Sequence, residues 1–277
     1  MTQIISDTST LYSVSEGKEK NLIILPLQIA IDQKTYYEYE EITTPQLLEK
    51  IENGAIPSSS QPSIGDVLNA YESNPDQPLL NITMADGLSG TYQNAVMAQQ
   101  QCPKQDITVL NSKTLCGPHR YLVNKALKLA EEGKSSDEIV AELMPSINNS
   151  ISFLIPQNFE FLKRGGRCSA LSASVGGLLR LTIVMKQSDD GKLLEKHAVA
   201  RTYKKALASI AEAFKEKGVD ENYIITISHV TTEKQVMETK NYFQNEFPHT
   251  EIEVYELSPV FVTQGGPGCL AVQCIKK

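Results

Sequence analysis

Short apolar runs rich in β-branched residues alternate with longer amphipathic stretches along the whole chain. Runs of this length and composition are typical of buried strands. They cover residues 21–31, 79–84, 107–110, 151–155, 223–228 and 252–257. Because strands that alternate with helices form βα units, the pattern predicts an α/β fold with a parallel or mixed sheet.

The amphipathic stretches between these runs predict helices. The clearest covers residues 203–217, where apolar positions recur at helical spacing and place Ala206, Leu207, Ile210, Ala211 and Phe214 on one face. Two further helices are marked by N-terminal capping signals, Ser63-x-x-Asp66 and the S-D-E sequence at 136–138. Helices therefore follow strands in both halves of the chain.

The second half has a more mixed character than the first. Residues 184–187 and 193–199 flank an S-D-D-G sequence, which predicts a β-hairpin with an Asp-Gly turn. The polar stretch 145–150 is a candidate domain crossing, although it also suits an ordinary turn. A chain of 277 residues is long enough for two domains.

Composition and charge exclude several classes of function. No window approaches the ~18 consecutive apolar residues of a membrane span, and the N-terminal sequence lacks a secretory signal, so a cytoplasmic location is expected. A net charge of −7 without a Lys/Arg block argues against nucleic-acid binding. The five cysteines contain no C-x-x-C pair, so we expect reduced thiols rather than disulfides or a zinc site.

Two hydroxyl-rich segments lie where a strand gives way to a helix, the position at which α/β sheets collect ligands. The first is S-S-S-Q-P-S at 58–63, which suits either a serine-rich loop ending in a helix cap or a set of donors to an anion. The second is D-G-L-S-G-T at 86–91, which is not a nucleophile elbow because Thr91 stands where glycine is needed. A serine at a helix N-terminus is still a reasonable receptor for a carboxylate or phosphate.

Two glycine-rich segments, G-G-R at 165–167 and G-G-P-G at 265–268, suit either turns or a close approach of the backbone to a ligand. Arg167 can pair bidentately with an anion, but most arginines are simply solvated. His229 ends a predicted strand, although a histidine in that position is more often structural, and no histidine spacing suggests a metal. Cys168 is better explained as a small buried residue than as a nucleophile.

Taken together and in order, these segments resemble the bacterial DegV family. The N-terminal I-S-D-T-S at 5–9 is similar to the opening Asp-Ser/Thr signature of the family, and S-S-Q-P-S at 59–63 is similar to its T-S-Q-P-S. L-S-G-T-Y-Q-N-A at 88–95 is nearly its L-S-G-T-Y-Q-S-A. F-L-K-R-G-G-R at 161–167 contains its L-x-x-G-G-R, and both the D-G-K turn and the terminal G-P-G follow.

The resemblance implies a two-domain DegV-like fold. Residues 1–150 would form a three-layer α/β/α domain with a parallel sheet, and residues 151–277 an α/β domain with a mixed sheet. A long-chain fatty acid would be buried between them. Small residues beside a helix would leave room for its alkyl chain, although they suit tight helix packing equally well: Ala170, Ser172, Ala173, Ser174, Gly176 and Gly177.

The resemblance also implies a function without catalysis by this chain. Members of the family include the fatty-acid-binding subunits of a fatty acid kinase, so the chain would present a fatty acid carboxylate to a kinase catalytic subunit, for phosphorylation to an acyl phosphate that feeds phospholipid synthesis. No cofactor is expected, and contacts with an acyltransferase or a membrane surface would be transient. The implied fatty-acid-binding residues are Ser59, Ser60, Ser89, Gly90, Thr91, Gln264, Gly265 and Gly266. Arg167 and Arg201 are implied to meet the acyl phosphate or the kinase.

Two departures from the family pattern concern this site. Ser59 replaces the usual threonine and keeps its hydroxyl, so hydrogen bonding is expected to survive with looser positioning. Gln264 stands where many members have a histidine, and an amide cannot carry a proton or a charge. Two rival hypotheses remain: a phosphoryl or acyl transferase that uses Ser89 and His229, and a regulatory protein that only senses its lipid.

Overall fold

The computed structural model describes residues 1–168 and 181–277 of the protein. Its contacts divide the chain into two compact units. The first unit contains Met1–Asn148 together with Ser258–Val260, and the second contains Asn149–Leu257 and Phe261–Lys277. The segment 169–180, which carries the run of small residues noted above, lies outside the described residues.

The first unit is built on a parallel sheet. The strands of this unit are β1 (Gln3–Asp7), β2 (Leu22–Leu25), β3 (Gln28–Ile31), β4 (Lys34–Tyr37), β5 (Ser58–Ser60), β6 (Leu79–Thr83) and β7 (Ile107–Asn111). Four of them form a fully parallel sheet in the order β2-β1-β6-β7. All residues of β1 and β6 are buried, as expected for the central strands of a parallel sheet that is covered on both faces.

A smaller antiparallel sheet of the first unit has the order β4-β3-β5. It corrects one prediction, because the apolar run at 21–31 is two strands in two different sheets rather than a single strand. Pro26 separates β2 from β3, and proline has no N–H with which to continue a strand ladder. Strand β5 coincides with the serine-rich segment, for which a loop ending in a helix cap was one of two predictions.

The helices of the first unit are α1 (Val14–Glu19), α2 (Thr44–Glu52), α3 (Ile64–Glu72), α4 (Thr91–Gln101), α5 (Cys116–Glu131) and α6 (Ser136–Ile147). The capping signals act as predicted. The hydroxyl of Ser63 accepts a hydrogen bond from the backbone N–H of Asp66 at the start of α3. Ser135 and Glu138 form a capping box at the start of α6.

The second unit is built on a six-stranded mixed sheet. Its strands are β8 (Ser150–Ile155), β9 (Thr182–Gln187), β10 (Leu194–Ala200), β11 (Tyr223–His229), β12 (Glu251–Glu256) and β13 (Leu270–Lys276), in the order β10-β9-β8-β13-β11-β12. Among the strands that the structure describes, β11 and β12 pair in parallel, and the other neighbouring pairs of this sheet are antiparallel. The predicted hairpin is confirmed as the antiparallel pair β9 and β10. The α/β fold with a parallel sheet followed by a mixed sheet is therefore as predicted.

The helices of the second unit are α7 (Phe159–Gly165), α8 (Tyr203–Lys217), α9 (Glu233–Glu246) and α10 (Pro259–Gly265), whose first residues belong to the first unit. Helix α8 has the predicted bounds, and its five predicted apolar positions are all buried. Phe214 of this helix contacts Phe153, Phe243 and Phe247 edge-on or tilted, and these rings form the centre of the core.

Two observations concern the chain as a whole. The five cysteines all lie in the described residues, none of them is in a disulfide, and three of them are buried. Within residues 1–168 and 181–277, no helix has the length and apolar character needed to cross a membrane.

Candidate functional site

The first unit brings the two hydroxyl-rich segments together. The side-chain amide of Asn94 in α4 donates a hydrogen bond of 2.8 Å to the carbonyl of Pro62, which precedes α3. The carboxamide of Gln61 lies against Gly90, so closely that a Cβ at Gly90 would be 3.2 Å from its carbon. The S-Q-P-S segment and the L-S-G-T segment therefore form one surface, although 27 positions separate Gln61 from Leu88.

Ser89 lies at the N-terminus of α4. Its Oγ is 2.8 Å from Oγ1 of Thr91 and accepts a hydrogen bond of 3.3 Å from the Thr91 N–H. Gly90 is the N-terminal cap residue and has no side chain to occupy the orphan N–H groups of the first turn. Because these donors and the helix dipole attract negative charge, the arrangement suits a carboxylate or a phosphate.

The serines of β5 do not converge on one point. Ser59 is half-buried and pairs in register with Ile29, whereas Ser58 and Ser60 are exposed. Successive side chains of a strand point to opposite faces of the sheet, so the side chains of Ser59 and Ser60 lie on opposite faces. Of the two strand serines assigned to the ligand by the resemblance, the structure thus gives Ser59 the sheltered position and leaves Ser60 at the surface.

Asp7 fixes the segment that leads to Ser89. One carboxylate oxygen accepts a hydrogen bond of 2.9 Å from the N–H of Ser9, and the other accepts one of 3.1 Å from the N–H of Met84. Asp7 is fully buried at the end of β1, and Met84 directly follows β6. The opening signature therefore supports the L-S-G-T segment through the backbone, a role that the sequence alone did not reveal.

His119 of α5 completes this buried polar network. Its Nδ1 lies 2.7 Å from the hydroxyl of Ser9, and its Nε2 lies 3.2 Å from both the Ser6 hydroxyl and the Ile82 carbonyl oxygen. Burial lowers the pKa of His119, although the negative charge of Asp7 acts in the opposite direction. A neutral imidazole that bridges β1, β6 and α5 is a structural element of the sheet edge that carries the serines.

Glu38 is a second buried group that sequence analysis did not identify. Its carboxylate accepts hydrogen bonds from the Thr8 hydroxyl and, at 2.9 Å, from the N–H of Val260 in the first turn of α10. The side chain is fully buried, and burial raises the pKa of Glu38 to about 7. The surrounding Y-E-Y-E-E sequence looks like a solvated stretch, so no local signal distinguishes this glutamate.

The second unit brings the two glycine-rich segments together. Gln264 of α10 lies against Gly165 at the end of α7, where a Cβ would overlap the Oε1 atom of Gln264. The ring of Phe161 covers Gly266 in the same way, with 2.9 Å between a Cβ at Gly266 and the nearest ring carbon. Gly265 and Gly266 are buried. The G-G-R and G-G-P-G segments are thus neighbours that require glycine at their contacts.

The two arginines implied to meet the kinase differ in environment. Arg167 is half-buried, and its Nη1 donates a hydrogen bond to the carbonyl of Gly165, so the side chain folds over its own loop. Arg201 is exposed directly after β10. The G-G-R loop therefore holds its arginine, whereas Arg201 extends from the surface.

The residues of the rival transferase hypothesis lie in different units, Ser89 in the first and His229 in the second. His229 ends β11 opposite Glu256 and is half-buried. Burial lowers the pKa of His229, and the charge of Glu256 opposes this shift. Neither unit alone contains both Ser89 and His229. Among the described residues, no group of three or more His, Cys, Asp and Glu side chains could hold a metal ion.

Comparison with known proteins agrees with this architecture. The parallel-sheet unit, the mixed-sheet unit and the paired serine and glycine segments define a two-unit α/β protein with an anion-receptive helix N-terminus. The model of the DegV family, described as "Uncharacterised protein, DegV family", matches residues 1–277. The chain belongs to the DegV family.

Individual relatives cover the whole chain. A DegV domain-containing protein of Listeria innocua is 28% identical over 97% of this chain and 96% of its own length. The solved structure of a fatty acid binding DegV family protein from Streptococcus agalactiae is 28% identical, with a TM-score of 0.89 over 100% of this chain and 99% of that one. A structure that describes fatty acid binding by a DegV family protein of Thermus thermophilus is 27% identical, with the same TM-score and coverage.

Proposed function

We propose that the protein binds a long-chain fatty acid and presents its carboxylate to the catalytic subunit of a fatty acid kinase. The observation that carries the binding proposal is the site of Ser89, Gly90 and Thr91 at the N-terminus of α4, held against the S-Q-P-S segment by Asn94. The comparisons support it, because two relatives of similar length and fold are described as fatty acid binding proteins.

The energetics favour a ligand with a long apolar chain. Burying about 15 methylene groups at ~0.8 kcal/mol each supplies on the order of 12 kcal/mol before the costs of association. A carboxylate left without partners would cancel much of this gain. The hydroxyls of Ser89 and Ser59 and the first N–H groups of α4 are suited to provide those partners. Gly90 and Thr91 belong to the same proposed site, whereas a contact of the ligand with the exposed Ser60 stays a prediction of the family resemblance.

The second unit supplies Gln264, Gly265 and Gly266 to the proposed site. Gln264 has an amide in place of the histidine that the family pattern leads us to expect, so it can donate a hydrogen bond at any pH but cannot add a positive charge. Because Gly265 and Gly266 have no side chains, a ligand can approach their backbone closely. Burial of the acyl chain between the two domains, which the family resemblance implies, stays a prediction.

The binding proposal is tested by alanine substitution of the two serines. Ser89→Ala and Ser59→Ala are each expected to raise the Kd for oleic acid at least tenfold, because a hydrogen bond to a charged group contributes about 1.5–3 kcal/mol. Isothermal titration calorimetry on delipidated protein provides the measurement. The stability of both variants should change little, because neither side chain is fully buried.

Ser58→Ala is the matched control, because Ser58 is exposed and its side chain points to the opposite face of β5 from Ser59. The Kd of Ser58→Ala for oleic acid should equal that of the wild type. An unchanged Kd in Ser89→Ala would contradict the proposed carboxylate site. Loss of affinity in Ser58→Ala as well would indicate that the strand, rather than the hydroxyl of Ser59, had been disturbed.

The kinase step needs no catalytic base from this chain. A fatty acid carboxylate is already deprotonated at neutral pH, so its oxygen can attack the γ-phosphorus of ATP held by the partner. The bond from that phosphorus to the β,γ-bridging oxygen breaks, ADP leaves, and an acyl phosphate forms. Orientation and charge neutralisation are what a binding subunit contributes to such a transfer. A cytoplasmic location and a link to phospholipid synthesis stay predictions.

Arg167 and Arg201 are proposed to meet the acyl phosphate or the kinase surface. Arg167→Ala and Arg201→Ala should lower acyl phosphate formation in a reconstituted assay with a fatty acid kinase catalytic subunit and ATP, while the Kd for oleic acid stays within about twofold. Loss of oleic acid binding would instead assign these side chains to the pocket. Lys205→Ala, which removes an exposed cation from the start of α8, is the control for a general effect of charge.

A further inference from the structure

Glu38 and Val260 form a contact that no motif in the sequence predicts. They are 222 positions apart, and the Glu38 carboxylate accepts a 2.9 Å hydrogen bond from the Val260 N–H. Val260 lies in Ser258–Val260, the short stretch that belongs to the first unit while the residues on either side of it belong to the second. The contact therefore fixes the beginning of α10 to the body of the first unit.

The Glu38 side chain is itself held rigidly. Its second carboxylate oxygen accepts a hydrogen bond from the Thr8 hydroxyl, and that hydroxyl oxygen accepts one of 2.9 Å from the Leu27 N–H. The backbone N–H of Glu38 donates to the Leu27 carbonyl at 3.1 Å. Because Thr8 follows β1 directly, Glu38 is anchored to the end of the central strand that also carries Asp7.

Helix α10 leads directly from this contact to the proposed ligand-binding segment. It begins at Pro259 and ends at Gly265, so Gln264 and Gly265 lie in its last turn and Gly266 follows it. A short helix transmits a displacement of its first turn to its last. Gln264 follows Val260 by four residues, about one helical turn, in the same helix.

We propose that Glu38 is a positioning residue for ligand binding: its carboxylate fixes the first turn of α10 and thereby the Gln264-Gly265-Gly266 segment, so that ligand affinity depends on whether this carboxylate carries a proton. The inference rests on the proposed function, because it takes that segment to be part of the fatty acid site. An ionised carboxylate accepts a stronger hydrogen bond from Val260 than a neutral one. The ionised form thus holds α10 more firmly.

The groups around Glu38 place its titration in the physiological range. Burial is the main reason why the pKa of Glu38 is raised to about 7, and the negative charge of Asp7 adds to the effect. The Thr8 hydroxyl and the Val260 N–H act against it. Ser258–Val260 contains no titratable side chain. On the segment of Glu38 itself, burial raises the pKa of Tyr39. Glu38, Cys116 and Glu16 add to this shift, and the positive charge of Arg120 opposes it.

Nuclear magnetic resonance of the deuterated full-length protein tests the contact without any ligand. The amide proton of Val260 should shift with pH in the wild type, with a midpoint near 7, because the group that accepts its hydrogen bond becomes charged there. Glu38→Gln keeps the shape and an acceptor oxygen but cannot titrate, so the shift should be independent of pH. Glu40→Gln, which changes an exposed carboxylate of the same segment, should titrate like the wild type.

Affinity for oleic acid tests the consequence. The ratio of the Kd of Glu38→Gln to that of the wild type cancels the protonation of the ligand itself, and it should be on the order of fivefold larger at pH 8 than at pH 6. A ratio that does not change with pH while both proteins bind would overturn the proposal and leave the proposed function intact. A Val260 amide that does not titrate in the wild type would also overturn it. If neither protein binds oleic acid at any pH, the proposed function fails with it, and the amide titration still shows whether Glu38 governs α10.

Discussion

The two units position their proposed binding segments by different physical means. In the first unit, buried polar side chains hold the backbone: Asp7 accepts from Ser9 and Met84, and Glu38 accepts from Thr8. In the second unit, side chains pack directly onto glycine, with Gln264 on Gly165 and Phe161 on Gly266. One arrangement is built on hydrogen bonds and charge, the other on volume and backbone conformation.

This difference predicts that the stability of the two units responds to different substitutions and to pH in different ways. Buried polar networks lose much of their value when one partner is removed or gains a proton, because the remaining groups stay desolvated. Tight contacts at glycine tolerate changes of pH but not an added methyl group. Stability should therefore respond to polar deletions and pH in the first unit, and to added volume in the second.

The largest effect is expected from Gly266→Ala. Gly266 has a φ of +78°, which L-residues rarely adopt, and a Cβ there would lie 2.9 Å from the Phe161 ring. The strained backbone costs about 1–2 kcal/mol and the overpacking about 1–3 kcal/mol. Urea denaturation should show a loss of about 2–5 kcal/mol in the free energy of unfolding.

Two glycine variants separate these contributions. Gly133→Ala has a similar φ of +84° but no atom within 4 Å of its Cβ, so it should show the backbone cost alone. Gly90→Ala in the first unit meets only the mobile carboxamide of Gln61 at 3.2 Å, so its cost should stay below about 1 kcal/mol. If Gly266→Ala and Gly133→Ala cost the same, the contact with Phe161 contributes nothing and the comparison of the two units fails.

A smaller effect is expected from Ser9→Ala in the polar network. The Ser9 hydroxyl lies 2.7 Å from Nδ1 of the fully buried His119, and its removal leaves that nitrogen without this partner. The free energy of unfolding at pH 7.5 should fall by about 1–3 kcal/mol. Ser13→Ala, which removes a half-buried helix cap in the same unit, should cost about 1 kcal/mol or less.

His119 gives the same network a pH dependence with a defined sign. Because burial lowers its pKa below the ordinary value of 6.5, the unfolded chain takes up a proton that the folded chain resists. The contribution of His119 to the free energy of unfolding is therefore complete above pH 6.5 and is lost as the pH falls toward the folded-state pKa. Glu38 acts in the opposite direction, since its pKa is raised from 4.5 to about 7 and its contribution weakens as the pH rises through that range.

The variant His119→Gln separates the contribution of the histidine from that of Glu38 to the pH dependence of stability. Its stability deficit relative to the wild type should be largest at pH 7.5 and narrow as the pH is lowered to 5.0. Urea denaturation at several pH values provides the measurement. A deficit that stays constant or widens on acidification would show that the imidazole is not excluded from protonation by burial.

Periodicity and capping predicted the regular parts of the fold. Helix α8 has the predicted bounds, and both capping signals start the helices they indicated, because each depends on neighbours within one turn. Strand β13 was not identified, although it lies between β8 and β11 in the sheet. Its sequence, L-A-V-Q-C-I-K, interrupts the apolar run with a buried glutamine whose amide donates to the Ser152 hydroxyl across the sheet.

The site was predictable to the extent that it is local. The L-S-G-T segment was singled out because a hydroxyl-rich turn before a helix is visible in the sequence itself. The assignment of Ser89, Gly90 and Thr91 to a ligand rests on the family resemblance and stays a prediction. Asp7 had no assigned role, and Glu38 and His119 were not identified at all, because their partners lie far away along the chain. Only the folded backbone places Val260 beside Glu38.

Binding of a long-chain fatty acid by this chain can be tested without the kinase, by native mass spectrometry of the purified protein followed by denaturing extraction and identification of the released molecule. We expect one fatty acid per chain, lost or reduced in Ser89→Ala and retained in Ser58→Ala. A protein that is purified empty, and stays empty when offered a panel of fatty acids of different length and saturation, would show that this chain does not bind a long-chain fatty acid.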